Sequence, residues 1–292
     1  MLSNSNAFYG KKIAACELGR WPAKGEHMLK RRGMVLLGLW VFAWGLSPLV
    51  GLAAEEDWQT DLSFSYTSGN YGTTERTNVR YAPLSIRRLL PDGDITLVIP
   101  YLHLTSDAAV TIVNGIPQAA GGQQAARTRT ISEGLGDILL RGRYYVLDEQ
   151  GLLPTVAVTG RVKFPTADEA KGLGTGQFDE SAGLEVTKYL SENWLGLADF
   201  TYTLVGKLDT ITLRNQWFFD VGLGYSFTKD FLGSVYYEEQ HSPVPGRTNP
   251  RDALAAFSHR ITSLVRLNMA LMLGLNSSSP DYGITGGLSL RF

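Results

Sequence analysis

The chain has 292 residues, of which 44% are hydrophobic and 19% charged, and its formal net charge is −1. Seven of the 27 basic residues but only two of the 28 acidic ones precede Glu55, so the part from Glu55 onward has a net charge of −6. This acidic balance argues against a nucleic-acid-binding surface, and we expect no nucleic-acid partner. The single cysteine, Cys16, also precedes Glu55, which excludes disulfide or thiolate chemistry in the later part.

The N-terminal region has the pattern of a targeting segment. A basic head at 28–32 precedes an uncharged run at 33–54, and acidic residues follow directly. This order is typical of a secretory signal peptide, with cleavage expected after Ala53 or Ala54. A permanent membrane helix is the alternative, since about 20 apolar residues can span a bilayer, but Pro48 and the small residues favour removal. The predicted organisation is a mis-called N-terminal extension at 1–27, a signal peptide at 28–54 and one barrel domain at 55–292.

From residue 58 onward, apolar and polar residues alternate within segments of roughly 10 residues, a length that matches tilted transmembrane β-strands. Aromatic residues lie near the ends of these segments, which is consistent with the aromatic girdles of membrane barrels. The predicted strands are Trp58 to Thr67, Thr77 to Leu89, Ile95 to Leu104, Gly136 to Leu147, Pro154 to Phe164, Ala182 to Leu190, Gly196 to Leu204, Gln216 to Phe227, Leu232 to Glu239, Ala253 to Ile261, Val265 to Leu275 and Tyr282 to Phe292.

The connections between these strands alternate in length, which is typical of outer-membrane barrels with short periplasmic turns and long external loops. A barrel in the bilayer must close, because an open edge cannot be hydrogen-bonded in hydrocarbon. The sequence therefore predicts an all-β fold, a single transmembrane antiparallel β-barrel of about 12 strands. The short connections are 91–94, 148–151, 191–193, 228–230 and one near 262–263, and the long ones are 106–130, 165–177, 206–215 and 240–251, with 276–281 short for an external loop.

The polar face of the predicted strands carries charged residues, as a wet lumen would require. We interpret Asp137 with Arg141 and Arg143 as an ion-pair network that satisfies buried charges, rather than as a catalytic cluster. In a narrow passage the same charges would shape the field that selects solutes. The predicted lumen-lining residues are Asp137, Arg141, Arg143, Arg161, Lys163, Glu185, Asp199, Asp220, Arg266 and Arg291.

Two motifs carry a family resemblance. The segment from Gly134 to Tyr145 begins Gly-Leu-Gly-Asp, and the segment from Lys163 to Gly176 contains Lys-Phe-Pro-Thr-Ala-Asp and Gly-Leu-Gly-Thr-Gly. Both are similar to motifs of the meta-pathway phenol-degradation family of bacterial outer-membrane proteins, which are often labelled transporters. Ala167 stands where that family usually has glycine. The resemblance implies a barrel of about this strand number and a role in the uptake of aromatic compounds.

These observations favour a channel or transporter for small, aromatic or hydrophobic solutes, with the apolar stretch from Ala108 to Pro117 as a plug or capture loop. The alternatives are an outer-membrane hydrolase of the phospholipase type and a structural barrel without transport. A hydrolase needs a nucleophile next to a base, but neighbouring strand residues such as Ser258 and His259 point to opposite faces, and no Gly-x-Ser-x-Gly occurs. The glycine-rich segment 172–176 is interpreted as a mobile external loop, since no helix follows it.

We therefore predict no catalytic residue, no cofactor and no metal ligand, because the histidines are scattered without ligand spacing. The expected location is the outer membrane of a Gram-negative bacterium. The expected partners are outer-membrane lipid, an unknown small-molecule solute, and the barrel-assembly machinery, which would bind the C-terminal strand ending in Phe292.

Overall fold

The computed structural model describes residues 57–73, 75–107, 110–113, 116–119, 130–208 and 212–292. The predicted extension at 1–27 and signal peptide at 28–54 lie outside the described residues. The strands of the described part are β1 Trp58–Gly69, β2 Thr77–Leu90, β3 Gly93–Ser106, β4 Val110–Val113, β5 Ile116–Ala119, β6 Thr130–Leu135, β7 Ile138–Leu147, β8 Thr155–Phe164, β9 Asp179–Tyr189, β10 Trp194–Leu204, β11 Gln216–Thr228, β12 Phe231–Gln240, β13 Arg251–Arg260, β14 Val265–Gly274 and β15 Tyr282–Arg291.

Each strand of the wall pairs antiparallel with its neighbours, and β15 pairs back onto β1. At this seam the backbone of Trp58 donates to and accepts from that of Phe292, both at 2.9 Å. The strands β6 and β7 lie end to end, pair with successive parts of β3, and together count as one strand of the wall. The strands β4 and β5 form a separate hairpin. The result is the predicted closed antiparallel barrel of 12 strands.

The two faces of the wall differ in chemistry as the alternation predicts. On β1, Leu62 and Phe64 are exposed on the outside, while Ser65 and Thr67 are buried on the inside. The residues predicted for the aromatic girdles are on the outer face near the strand ends, where amphipathic rings favour the membrane–water interface. Those at least 40% exposed are Trp58, Tyr101, Tyr144, Trp194, Tyr202, Tyr282 and Phe292.

The connections alternate around the barrel as predicted. The turn at 91–92 and those after β7, β9, β11 and β13 are short and lie at the end of the barrel that holds Asp57 and Phe292. The connections after β3, β8, β10 and β12 are longer and lie at the opposite end. Among the described residues there is no helix long and apolar enough to cross a membrane.

The outer face should tolerate a charge much less well than the lumen. We expect Phe64→Arg to lower the free energy of unfolding by about 2–4 kcal/mol, because position 64 is at the middle of β1 and 52% exposed on the outer face. The neighbouring Ser63→Arg faces the lumen and should cost less than about 1 kcal/mol. Urea titration of both variants in lipid vesicles measures the difference. Equal losses would contradict the assignment of the two faces.

Candidate functional site

The structure places the ten predicted lumen-lining residues on the inner face, and it segregates them by charge around the wall. The basic residues Arg141, Arg143, Arg161 and Lys163 are on β7 and β8. The acidic ones follow on the next strands. Glu185, Asp199 and Asp220 are directly opposite one another on β9, β10 and β11, and the row continues with Glu238 and Asp252, which the sequence analysis did not select. Neighbouring sectors of opposite charge create an electric field across the lumen.

Lys163 is at the centre of a buried ion cluster. Its ammonium group lies 3.2 Å from Asp137 Oδ2 and 2.9 Å from Asp179 Oδ2, and it donates to Thr175 Oγ1 at 3.0 Å. All of these side chains are buried. Two carboxylates around one ammonium compensate the cost of removing the charges from water, and Asp137 also accepts a 3.0 Å hydrogen bond from the backbone of Ala167.

The predicted partners of Asp137 are wrong in detail. Asp137 pairs with Lys163 rather than with Arg141 or Arg143. It precedes β7, in the break of the wall, so its side chain is directed toward the end of β8 instead of along its own strand. Arg143 instead lies 3.0 Å from Glu185, which is on a strand two positions away in the wall.

The first motif of the family resemblance contains an interruption of a wall strand. The second motif supplies the hydrogen bonds that bridge this interruption. The wall strand is interrupted at Gly136 and Asp137, between β6 and β7. The Thr166 hydroxyl accepts a hydrogen bond from the backbone of Ile138 at 2.9 Å and donates one to the carbonyl of Gly136 at 3.0 Å. A side chain of the β8–β9 loop thus satisfies backbone groups that a continuous ladder would have paired.

Part of the same β8–β9 loop, which comprises residues 165–178, folds into the lumen at 172–175. The expectation of a mobile external loop at 172–176 is wrong, because Gly172, Leu173 and Thr175 are buried. Gly172 has a φ of +69°, and its carbonyl accepts a 2.9 Å hydrogen bond from Ile112 of the β4–β5 hairpin. A Cβ on Gly172 would collide with the carbonyl oxygen of Val110, so this close approach requires glycine.

The hairpin, the loop and the wall together form an apolar cluster inside the extracellular end of the barrel, which we call the apolar plug. Val110, Ile112 and Val113 of the hairpin belong to the stretch predicted as a plug or capture loop, and they are buried. The members are Val79, Tyr81, Leu102 and Leu104 from the wall, Val110 and Ile112 from β4, and Ala167 and Leu173 from the β8–β9 loop.

The wall residues of the plug were missed, although the sequence contains a signal for them. In the upper part of β2, Val79 and Tyr81 alternate with Asn78 and Arg80, so the register that puts Thr67 inside also puts the apolar pair inside. In β3, Leu102 and Leu104 alternate with polar residues in the same way. In the upper parts of β2 and β3, above the aromatic girdle, the apolar residues therefore face the lumen instead of the lipid.

A second apolar patch lies on the opposite part of the inner wall. The Tyr236 ring covers Gly222, where any Cβ would overlap the ring. Because Gly222 is opposite both Leu197 and Tyr236, the glycine allows the ring to lie flat between neighbouring strands. The patch consists of Leu195, Leu197, Tyr236, Leu254, Ala256, Ala270 and Met272.

Arginines gather at the periplasmic end of the lumen. Arg260 and Arg266 line two adjoining cavities of about 320 and 210 Å³, and Arg291 lines the smaller one. Arg260 donates a 2.6 Å hydrogen bond to Asp230, which holds the pKa of that carboxyl below its ordinary value.

The described residues contain no group of three or more His, Cys, Asp or Glu side chains able to hold a metal ion. Ser258 and His259 point to opposite faces of β13, as expected, with Ser258 buried on the inside and His259 packed outside against Phe231. His241 stacks on Trp217 at the external end.

Residues 90–292 match the family model described as "Putative MetA-pathway of phenol degradation". The chain belongs to this family. The match includes both motifs, the break in the wall and the β8–β9 loop. No curated protein matches the chain.

Solved structures share the fold. An outer-membrane channel from Pseudomonas putida F1 superposes with a TM-score of 0.63 at 12% identity, over 80% of this chain and 95% of that one. A KdgM porin superposes with a TM-score of 0.50 at 9% identity, over 80% and 99%. The protein is therefore an outer-membrane β-barrel, and lipid surrounds its outer face.

Lys163→Met should lower the free energy of unfolding by about 3–5 kcal/mol, because Asp137 and Asp179 would remain as buried charges without their cation. Urea titration in lipid vesicles measures the loss. A matched control on the β8–β9 loop is Lys171→Met, whose half-exposed ammonium lies 3.8 Å from Asp168. This control should cost less than about 1 kcal/mol. A similar loss in both variants would show that the cluster does not hold the loop.

Proposed function

We propose that the protein is a channel for small solutes with an apolar or aromatic body, and that it is not an enzyme. The observation that carries this proposal is the order of surfaces along the lumen. The apolar plug lies at the extracellular end, next to the Lys163 cluster, and the rows of Arg141 with Arg161 and of Glu185 with Asp199 and Asp220 lie below it. A solute entering from outside meets an apolar surface before it meets charges.

The apolar plug accounts for selectivity in this proposal. A 12-stranded barrel is narrow, and an apolar constriction opposes ions because it dewets. A small apolar solute pays little free energy to enter such a constriction, since it exchanges contacts with water for contacts with hydrocarbon. Below the plug, hydroxyl and charged groups then offer contacts to any polar substituent.

A structural barrel without transport is the less favoured alternative. Burying Lys163 with Asp137 and Asp179 costs desolvation energy, and replacing such a cluster by apolar residues is often neutral or stabilising. The cluster holds an inward-folded loop at one place in the wall. A channel needs such a cluster to position its plug, which explains the desolvation cost. A purely structural barrel has no need for the cluster.

The proposal also includes how the chain reaches the membrane and how it is assembled there. The predicted signal peptide at 28–54 would direct the chain across the inner membrane. The barrel-assembly machinery would bind the terminal strand, which supplies β15 at the seam and ends in Phe292.

Weakening the plug should open the channel. Ile112→Ser removes a buried side chain from the cluster, which costs about 2 kcal/mol of burial. In planar bilayers we expect the frequency of channel openings to rise by about tenfold or more. Thr111→Ser, on the same strand but only half-buried, is the matched control and should conduct like the wild type.

The solute is tested in cells. Gram-negative cells that express the protein should take up a labelled monoaromatic solute faster than cells with an empty vector. The proposed channel would be contradicted if the Ile112→Ser variant did not conduct and expression of the protein did not increase uptake.

One arrangement on the outer face bears on the hydrolase alternative. His103 Nδ1 lies 2.8 Å from Glu133, and its Nε2 lies 3.4 Å from the Thr105 hydroxyl. This order resembles a nucleophile, a base and an orienting carboxylate. The hydroxyl contact is long and Glu133 is 57% exposed, so the carboxylate is solvated instead of being held.

We therefore expect no esterase activity above that of empty vesicles with short-chain p-nitrophenyl esters. Hydrolysis that the wild type catalyses and that Thr105→Val abolishes would establish the hydrolase function instead. Thr111→Ser, away from His103, serves again as the control for folding and insertion.

A further inference from the structure

Four polar side chains form a block on the outer face of β2 and β3, at the extracellular end of both strands. Arg80 is directly opposite His103, and Asn78 is directly opposite Thr105. All four alternate with residues that are buried on the inner face. We call this set the polar block. The outward positions that follow toward the periplasm are apolar or aromatic, so the block begins where the lipid-facing band ends.

The length of β2 places the polar block at the headgroup level of the membrane. Arg80 and Arg88 are both on the outer face, and the outward positions between them are Ala82, Leu84 and Ile86. Eight residues cover about 26 Å along a strand, or about 20 Å across the membrane at the usual tilt. The apolar band of such barrels is about 25 Å tall. Because Arg88 is at the periplasmic edge of this band, Arg80 is at the edge next to the outer leaflet.

The two edge arginines differ in their partners. Arg88 lies 2.8 Å from Asp57, and its guanidinium carbon is 5.1 Å from the centroid of the Trp58 ring. Arg80 is exposed, and its guanidinium group forms no ion pair or side-chain hydrogen bond within the described part of the chain. An arginine on the lipid face is costly unless it reaches the interface and an anionic partner. At this edge the membrane itself supplies anions, as phosphates of the headgroups.

The other members of the polar block add neutral hydrogen-bonding groups around Arg80. Asn78 accepts a 3.0 Å hydrogen bond from the Tyr66 hydroxyl at its Oδ1 atom, so its NH2 group is left to donate. His103 Nδ1 lies 2.8 Å from Glu133, and its Nε2 lies 3.4 Å from the Thr105 hydroxyl. The block therefore combines one guanidinium group with amide and hydroxyl groups. A guanidinium group binds phosphate through two parallel hydrogen bonds.

We propose that the polar block binds a phosphate group of lipopolysaccharide, the phosphorylated glycolipid of the outer leaflet. The Arg80 guanidinium binds the phosphate, and Asn78 and Thr105 contact the sugar that carries it. Tyr101, which is 44% exposed on the adjoining outward position of β3, lies beside the first part of an acyl chain. This site concerns the contact of the barrel with its membrane and is independent of the proposed channel function.

The test is native mass spectrometry of the detergent-solubilised protein with lipid A, the membrane-embedded part of lipopolysaccharide, in its bisphosphorylated and its dephosphorylated forms. Arg80→Gln should lower the affinity for bisphosphorylated lipid A by about fivefold or more, because a basic side chain next to anionic headgroups is lost. The affinity for dephosphorylated lipid A should not change. The matched control is Arg251→Gln, at the same end of the outer face, because Arg251 already lies 3.0 Å from Glu239. This control should bind both forms like the wild type.

An affinity of Arg80→Gln for bisphosphorylated lipid A within twofold of wild type would overturn the site. An equal loss in Arg251→Gln would show that the outer face attracts anions by its total charge and has no site at the polar block. Wild-type binding of phosphatidylglycerol as tight as that of bisphosphorylated lipid A would overturn the assignment to the glycolipid. Gel migration without boiling verifies that each variant is folded.

Discussion

Within hydrocarbon a backbone N–H or C=O group finds no water, so each must find its partner in the protein. The rest of this structure depends on that constraint. It requires β15 to pair with β1, and the two bonds between Trp58 and Phe292 complete the ring. Once the wall is closed, each strand has one face in lipid and one face in the lumen, and every charge of the membrane segment must point inward. The charged lumen is therefore a consequence of closure.

At the break between β6 and β7, a side chain provides the hydrogen bonds that the backbone requires. Thr166 bonds the backbone on both sides of the break, and the adjacent Asp137 joins the buried cluster of Lys163. The segment that repairs the wall is also the segment that enters the lumen. The hydroxyl that bridges the break in the wall and the side chains buried in the lumen thus belong to one loop, which contains the second family motif.

Most of the wall could be predicted from the sequence, because a period of two residues and a parity of loop lengths are local signals. The girdle aromatics and the inward direction of Arg161, Glu185 and Asp220 follow from that period alone. The partners could not be predicted in the same way. Which cation meets Asp137 depends on a break in the strand and on the stagger between strands, and neither appears in the spacing of one segment.

The inward fold of the β8–β9 loop was not predictable for a related reason. Glycines at 172 and 174 are compatible with a mobile loop as much as with close packing, and only the position of the hairpin carbonyl decides between them. The apolar wall residues of the plug were predictable in principle. Val79 and Tyr81 alternate with Asn78 and Arg80, and that reversal of polarity is a local signal that a face has changed its environment.

The central claim is that the apolar plug separates the outside from a charged lumen that adjoins the periplasm. The most direct measurement is the rate at which a charged thiol reagent reaches a cysteine substituted for Thr159, a lumen-facing residue of β8 opposite Arg143. The reagent should react from the periplasmic side about tenfold or more faster than from outside, because an apolar constriction excludes ions. Equal rates from the two sides would contradict the account.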